Sequence, residues 1–317
     1  MSRARAVRHS AEYALVRAVE MALRPLSMAA VRTLGERLGR AAYSAAASRR
    51  NVALANLDRA LPERTPGERE AIVREMFEHF GRMLLELVRF RSLPRARMLS
   101  YVETEGADHV ARAYDAGRGM ILVGAHFGYW EMQGLTHALC WKLIAVMARP
   151  LDNPSLHEML EATRALTGNA VIYRQGSIRK VLRALADNRA VAILIDQHLQ
   201  SPEAVHVDFF GRPAATTSVV ASLALRTGAA VIPAFGLPLP GGRYRFVYER
   251  PVDPPRDGSP EAIREFTQRC TAVIERYVRA YPGLWLWMHR RWREAPGNSP
   301  LPAAVAQRTA AGEDRHG

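Results

Sequence analysis

The chain has 317 residues, 48% of them hydrophobic and 24% charged, which excludes a disordered polymer and permits one large core or two smaller ones. Its formal net charge is +13, carried almost wholly by arginine, since Lys142 and Lys180 are the only lysines. A surplus of that size points to anionic partners, whether nucleic acid, anionic lipid headgroups or an acidic protein.

No zinc finger, RNA-binding signature or basic–aromatic ladder accompanies the charge, which disfavours nucleic acid. No apolar run reaches the ~18 residues of a membrane-spanning helix, and the N-terminus lacks the uninterrupted apolar stretch of a signal peptide. Between Glu12 and Tyr43 the residues Leu15, Val16, Val19, Leu23, Leu26, Val31, Leu34 and Leu38 recur at helical spacing with Arg17, Arg24, Arg32, Arg37 and Arg40 among them. That pattern predicts a basic amphipathic helix pair broken near Pro25. It suits residues 1–45 to lie in a membrane interface; the competing reading is a pair packed on the protein's own core. Thr65-Pro66-Gly67-Glu68 reads as a capping box with proline at the first helical position. The following helix carries Ile72, Val73, Met76, Phe77, Phe80, Met83, Leu84, Leu87 and Val88 on one face and ends before Pro94.

From there short apolar runs alternate with amphipathic stretches. Strands are predicted at 119–125, 143–148, 170–173, 190–196 and 229–235, with helices near 128–139, 154–167, 177–188 and 216–227. A more polar strand at 243–250 and a helix at 260–280 follow. The alternation predicts an α/β fold with a mainly parallel central sheet flanked by helices. Residues 46–295 read as one domain, and 296–317, rich in Ala, Pro and charge, as a disordered tail. The two cysteines, Cys140 and Cys270, show no metal or redox spacing, which favours a reducing compartment.

The segment Gly124-Ala125-His126-Phe127-Gly128-Tyr129-Trp130-Glu131 concentrates the chemistry. Positions five apart on a regular helix point about 140° from one another, so His126 and Glu131 cannot meet inside one helix. With His126 in the strand-to-helix turn, its ring can fold back to Glu131 at the crevice where open α/β sheets bind ligands. A general base acting on an alcohol needs an imidazole whose second nitrogen is held by an acceptor. The pair supplies both parts, and the glycines leave room for substrate. No G-x-S-x-G elbow accompanies it, so direct attack by a substrate hydroxyl fits better than a covalent acyl-enzyme. Asp196, His198, His206 and Asp208 lie close in sequence, but their spacing matches no standard zinc pattern and reads as a polar loop. Neither a metal nor another cofactor is expected.

The segment His126–Glu131 resembles the H-x4-D/E block of the glycerolipid acyltransferase superfamily, and most closely the His-x-Gly-Asn-Trp-Glu form of the bacterial lipid A late acyltransferases and their phosphatidylinositol mannoside acyltransferase relatives. Further blocks share the resemblance from about residue 45 to 293. These are Arg50–Leu57 with Leu61-Pro62-Glu63, Arg149-Pro150-Leu151-Asp152-Asn153-Pro154, Phe209-Phe210-Gly211 with Ala215-Thr216-Thr217, Thr227–Pro233, and Trp285–Trp292. The resemblance implies His126 as general base, Glu131 as its partner, and Arg149 holding phosphate or polarising a thioester. It further implies Gly128, Tyr129, Trp130, Asp196, Phe210, Gly211, Thr216 and Arg290 lining the site. Tyr129 stands where asparagine is common in the family. The F-P-E-G block of glycerol-phosphate acyltransferases is absent.

The expected activity is therefore a peripheral inner-membrane O-acyltransferase on the cytoplasmic face. It would move a fatty acyl group from acyl carrier protein, acidic in this family, or from acyl-CoA to a hydroxyl of an anionic glycolipid, foremost a lipid A precursor. The rivals are acylation of a mannosylated phosphoinositide or other glycolipid or lysophospholipid, and a basic membrane-binding scaffold without turnover.

Overall fold

A computed structural model describes residues 3–148, 151–173, 177–201 and 203–293. The tail from 296 onward lies outside them. The chain opens with helices α1 (Arg3–Leu23), α2 (Met28–Ala45), α3 (Ala47–Ala60), α4 (Pro66–Phe90) and α5 (Arg95–Leu99). Next come β1 (Val102–Glu105), α6 (Ala107–Asp115), β2 (Met120–Gly124), α7 (Trp130–Cys140), β3 (Ile144–Ala148), α8 (Pro154–Ala165), β4 (Ala170–Tyr173), α9 (Ser177–Ala186) and β5 (Ala190–Leu194). The hairpin β6 (Ala204–Phe209) and β7 (Arg212–Thr217) precedes α10 (Val219–Thr227), β8 (Ala230–Leu239), β9 (Arg243–Tyr248) and α11 (Pro260–Ala280).

Seven strands form one sheet in the order β1-β9-β8-β2-β5-β3-β4. β8, β2, β5, β3 and β4 run parallel, while β9 is antiparallel to β8 and parallel to β1. The expected mainly parallel sheet flanked by helices is what forms. Alternation along the strands fills two cores. Ile121 and Val123 of β2, with Val191 and Ile193 of β5, pack against α9, α10 and α11 through Val181, Leu185, Val220, Leu223, Phe266 and Ile274. Met120 and Leu122 face the other way, onto Val110 and Tyr114 of α6 and Met132 and Leu135 of α7.

Six elements differ from the sequence reading. α3, α5, β1, α6 and β6 were not anticipated, and residues 212–217 form a strand, so the helix expected near 216 starts at Val219. β1 is four residues long and polar at three of them, too short for a period to register. The β6–β7 turn places Phe210 and Gly211 both at positive φ (58° and 69°), as a two-residue turn matched to strand twist requires.

The predicted capping box forms: Thr65 Oγ1 accepts from Glu68 N at 3.3 Å, and Glu68 Oε2 accepts from Thr65 N at 2.8 Å. The N-terminal pair divides its apolar residues between the core and the surface. Leu23 and Val31 are buried with Leu85, and Val19 and Leu26 pack around them. Leu15, Leu34 and Leu38 stay exposed. α2 seats on α4 through glycines: a Cβ on Gly35 would meet Arg82 Cα at 2.6 Å, and one on Gly39 would meet Phe77 O at 2.3 Å. Both obstacles are backbone and cannot swing aside.

Replacing Gly39 by Ala therefore sets two effects against each other. Helix propensity gains about 1 kcal/mol, and forcing the helices apart costs about 1–3 kcal/mol or more. We expect a net loss of about 1–2 kcal/mol, read as a lower midpoint in a denaturant melt. An unchanged or raised midpoint would show that α2 is not seated on α4.

Candidate active site

β2 and β5 are hydrogen-bonded neighbours whose carboxyl ends open on the same side of the sheet, and the chain leaves them at Ala125–Tyr129 and Ile195–Gln197. This is the crevice position at which open α/β sheets take ligands. His126 occupies the strand-to-helix turn, as expected. Its ring, however, is held by Asp196 rather than by Glu131. Asp196 Oδ1 accepts from His126 Nδ1 at 2.9 Å, and Asp196 Oδ2 accepts from the His126 backbone N–H at 2.9 Å and from Trp285 Nε1 at 2.8 Å.

The carboxylate is 5% exposed. Burial alone would raise its pKa, but the His126 ring and the N–H donors outweigh that and hold it below the usual range. Burial likewise works against a charged His126, and the Asp196 carboxylate overcomes it with Glu131 adding in the same sense, so the imidazole stands above its ordinary pKa. With Asp196 ionised, Nδ1 must carry the proton, which leaves the Nε2 lone pair free to accept one. The ring edge meets Trp130 at 5.5 Å, and the Gln197 side-chain amide lies 3.4 Å from Nε2.

Glu131, in the first turn of α7, is engaged elsewhere. Arg164 from the last turn of α8 clasps it, with Arg164 Nε donating to Glu131 Oε2 at 3.1 Å and Nη2 to Oε1. The sequence expectation of direct contact between His126 and Glu131 is thus corrected. The reason is steric order: a buried acceptor delivered by β5 reaches the ring first, and an arginine satisfies the glutamate. Arg164 was not foreseen, since its only signal is that a partly buried glutamate needs a counter-ion.

The other expected residues separate into groups. Gly128 (φ +58°) is the point where the loop crosses β8, because a Cβ there would sit 1.8 Å from Gly236 O. Its N–H donates to Leu284 O at 2.9 Å and its carbonyl accepts from His79 Nε2 at 3.2 Å. Burial pushes His79 down to about 3, so it supports the loop as a neutral ring. Tyr129 does not line the site. It is 1% exposed and packs at 4.6 Å from Tyr244, its phenol beside the buried Glu86 that pairs with Arg32. An aromatic body turned into the core is the better-buried arrangement for tyrosine where asparagine would stay near the surface.

Phe210 and Gly211 sit at the β6–β7 turn. Phe210 packs at 5.9 Å from Trp287, beneath the Arg279 guanidinium at 4.4 Å, and Gly211 is exposed. Among the described residues no hydrogen bond or ring contact joins either to His126 or Asp196. Thr216 is fully buried and accepts from Arg291, which also donates to Ala215 O at 2.6 Å and Gln197 O at 3.2 Å. Arg290 is exposed. Arg149 lies outside the described residues. Asn153 of the same block caps α8, accepting from Ser155 N at 3.1 Å while its amide donates to His9 O and Glu12 Oε2 in α1. Among the described residues no three His, Cys, Asp or Glu side chains gather as a metal site.

The stretch 284–291 closes the loop from the C-terminal side. Leu286 N donates to His126 O at 3.1 Å, and His289 Nε2 accepts from His198 N at 3.1 Å. Burial pushes the His289 ring down to about 4, so it faces the dyad neutral. Chemically, the arrangement is an oriented imidazole whose charged form a buried carboxylate stabilises, and among the described residues no serine or cysteine is hydrogen-bonded to it.

Three known proteins are similar to the chain over most of its length. The chain is 28% identical over 271 residues to the lipid A biosynthesis palmitoleoyltransferase of Escherichia coli (strain K12), an overlap covering 84% of this chain and 87% of that protein. It is 28% identical over 270 residues to the lipid A biosynthesis lauroyltransferase of the same organism, covering 84% and 86%. It is also 27% identical over 225 residues to the phosphatidylinositol mannoside acyltransferase of Mycolicibacterium smegmatis, covering 70% and 72%. The family described as bacterial lipid A biosynthesis acyltransferase matches residues 1–294, and the chain therefore belongs to that family of acyltransferases.

Proposed function

We propose that the protein transfers a fatty acyl group from a thioester carrier to a hydroxyl of a lipid A precursor, with His126 as general base. The observation that carries this reading is the His126–Asp196 pair at the carboxyl ends of β2 and β5. In the first step His126 Nε2 takes the proton of the acceptor hydroxyl as its oxygen bonds to the thioester carbonyl carbon. The tetrahedral oxyanion then collapses, the carbon–sulfur bond breaks, and the imidazolium returns the proton to the departing thiolate. Asp196 fixes the tautomer and stabilises the imidazolium between the two steps. Glu131 adds negative potential near the ring, and its clasp with Arg164 ties the first turn of α7 to α8. Direct attack needs no acyl-enzyme.

His126→Ala should lower kcat/KM by about 10²–10⁴-fold in an assay of purified protein with lauroyl thioesters and a panel of glycolipid acceptors. Turnover near that of the unaltered protein would dismiss the mechanism. Asp196→Asn tests the pairing through pH. The base works when unprotonated, so activity is lost as pH falls through the His126 pKa, which Asp196 holds high. Removing that charge leaves burial dominant and lowers the pKa. The acidic limb of kcat/KM should therefore move to lower pH while its plateau drops; a limb that stays in place or moves up would exclude Asp196 as the partner.

The basic N-terminal pair supports a peripheral place at the inner membrane. On α1 the residues Val7, Ala11, Ala14, Leu15, Ala18, Met21 and Ala22 are all exposed. They fall within an arc of about 120° at about 100° per residue, while the opposite face packs on α4 and α8. No helix among the described residues is long and apolar enough to cross a membrane, and an outward apolar stripe on a basic helix suits the interface. Leu15→Asp with Met21→Asp, both positions 65% exposed, should shift the protein from the membrane to the soluble fraction without lowering its melting midpoint. Retention on the membrane would remove α1 as the contact. A mannosylated phosphoinositide is the second acceptor worth testing, because a relative acting on such a lipid covers 70% of the chain; lipid mass spectrometry of a deletion strain separates the two.

A further inference from the structure

Acyl transfer from His126 creates a negative charge that no group named so far receives. As the acceptor oxygen bonds to the thioester carbon, the carbonyl π electrons move onto the carbonyl oxygen, and that oxyanion needs a hydrogen-bond donor. Asp196 and Glu131 cannot supply it. Both are carboxylates, the first taken up by His126 and Trp285 and the second clasped by Arg164.

Gln197 is the residue beside the base that has no task. Among the described residues, Asp196 and Gln197 are the only side chains within hydrogen-bonding distance of the His126 ring. The Gln197 amide nitrogen lies 3.4 Å from Nε2 and 3.5 Å from Nδ1. In the ring plane, a point so nearly equidistant from both nitrogens would overlap the carbon between them, so the amide sits over one face of the ring. Nδ1 keeps its proton for Asp196, and the Nε2 lone pair stays clear for the acceptor hydroxyl.

Main-chain bonds fix where this side chain starts. Gln197 O accepts from Nη1 of the buried Arg291 at 3.2 Å, and the next N–H, that of His198, donates to His289 Nε2 at 3.1 Å. The side chain takes no part in holding the turn. It is exposed, and among the described residues it has no hydrogen-bond partner besides the imidazole. A carboxamide takes up no proton near neutral pH and carries no charge to stabilise an imidazolium. What it brings to the base is a pair of neutral N–H donors.

We infer that Gln197 donates a hydrogen bond to the oxyanion of the tetrahedral intermediate. The inference rests on the acyl-transfer reading above and adds a catalytic residue to it. A hydroxyl oxygen poised for deprotonation stands about 2.6–3.2 Å from Nε2. The thioester carbon lies one bond beyond it, and the carbonyl oxygen one bond further. An amide nitrogen 3.4 Å from Nε2 and off the ring plane comes within about 3 Å of that oxygen when the carbonyl turns toward the Gln197 face. The hydrogen bond strengthens as the π pair moves onto oxygen and weakens as the pair returns to expel the thiolate; the amide proton stays on nitrogen throughout. Because the donor is neutral, it stabilises the intermediate without moving the titration of His126, which separates its role from that of Asp196.

Gln197→Leu keeps the length of the side chain and removes the donor. The test measures the single-turnover rate constant for lauroyl transfer, from lauroyl-CoA or lauroyl–acyl carrier protein, to the glycolipid panel. That constant should fall about 10²–10³-fold. KM for both substrates should stay within about twofold, and the acidic limb of the pH profile should stay in place. Gln197→Ser, whose hydroxyl stops short of the ring, should match it and shows that the loss is no effect of an exposed apolar side chain. Gln197→Glu should lose at least as much, and its charge beside the ring should raise the acidic limb. A Leu or Ser variant that keeps the rate would overturn the proposal, and a raised KM at unchanged rate would make Gln197 a ground-state contact instead. An acidic limb displaced in the Leu variant would make it an orienter of the ring, which also overturns the proposal. No transfer by the unaltered protein would discard the acyl-transfer reading itself, whereas transfer that Gln197→Leu leaves intact would discard only the role of Gln197.

Discussion

A buried carboxylate in an α/β protein must be surrounded by donors or it unfolds its own surroundings, and Asp196 meets that requirement by drawing three of them from two distant parts of the chain. The same oxygen that receives the indole of Trp285 also receives the backbone N–H of His126, while the other receives its ring. Loop conformation, ring orientation and tautomer are consequently set by one group. The glycine at 128 and the crossing at Gly236 complete the fit, allowing the loop to run within backbone distance of β8.

Around this centre the molecule is built in tiers. Arg291 is almost wholly buried, yet it ends on two carbonyls and the Thr216 hydroxyl, binding the end of the chain to the strand that follows the β6–β7 turn. His79, kept neutral by burial, supports Gly128 from α4, and α4 in turn carries α2. On the opposite flank, Arg164 and Asn153 mark the two ends of α8, one holding Glu131 and the other holding α1. The N-terminal helices are therefore mechanically continuous with the site through two separate routes.

Much of this was legible in the sequence because period and punctuation express it directly. The alternation of apolar strands with amphipathic helices gave the parallel sheet, His126 among its glycines marked the strand-to-helix turn, and Thr65-Pro66-Gly67-Glu68 announced α4. What sequence spacing conceals is partnership across the sheet. Asp196 lies 70 positions from His126, and only the adjacency of β2 and β5, a matter of strand order, brings them together. The nearby Glu131 looked like the natural partner because it is close in sequence, whereas its clasp with Arg164 spans 33 positions. Tyr129 was misplaced for a related reason. A residue inside a motif need not face the site, and its ring satisfies the second core instead. The β6–β7 hairpin entered the sequence reading only as a polar loop and a block of the resemblance, not as strands, since Pro213-Ala214-Ala215 carries little of the alternation that marks a half-buried strand.

The closure of the His126 loop by Leu286 and Trp285 has a consequence for how the protein comes into being. The contacts that fix the base span about 160 positions of sequence, so they belong to the slow, non-local class that waits on chain topology. A nascent chain on the ribosome can form β2, α7 and β5 and still lack a complete shell for the carboxylate, because the indole of Trp285 is made 89 residues after Asp196. Assembly of the base and completion of the fold are then one event. A chain shortened before Trp285 would then be silent rather than weakly active, since the carboxylate would be buried without its third donor.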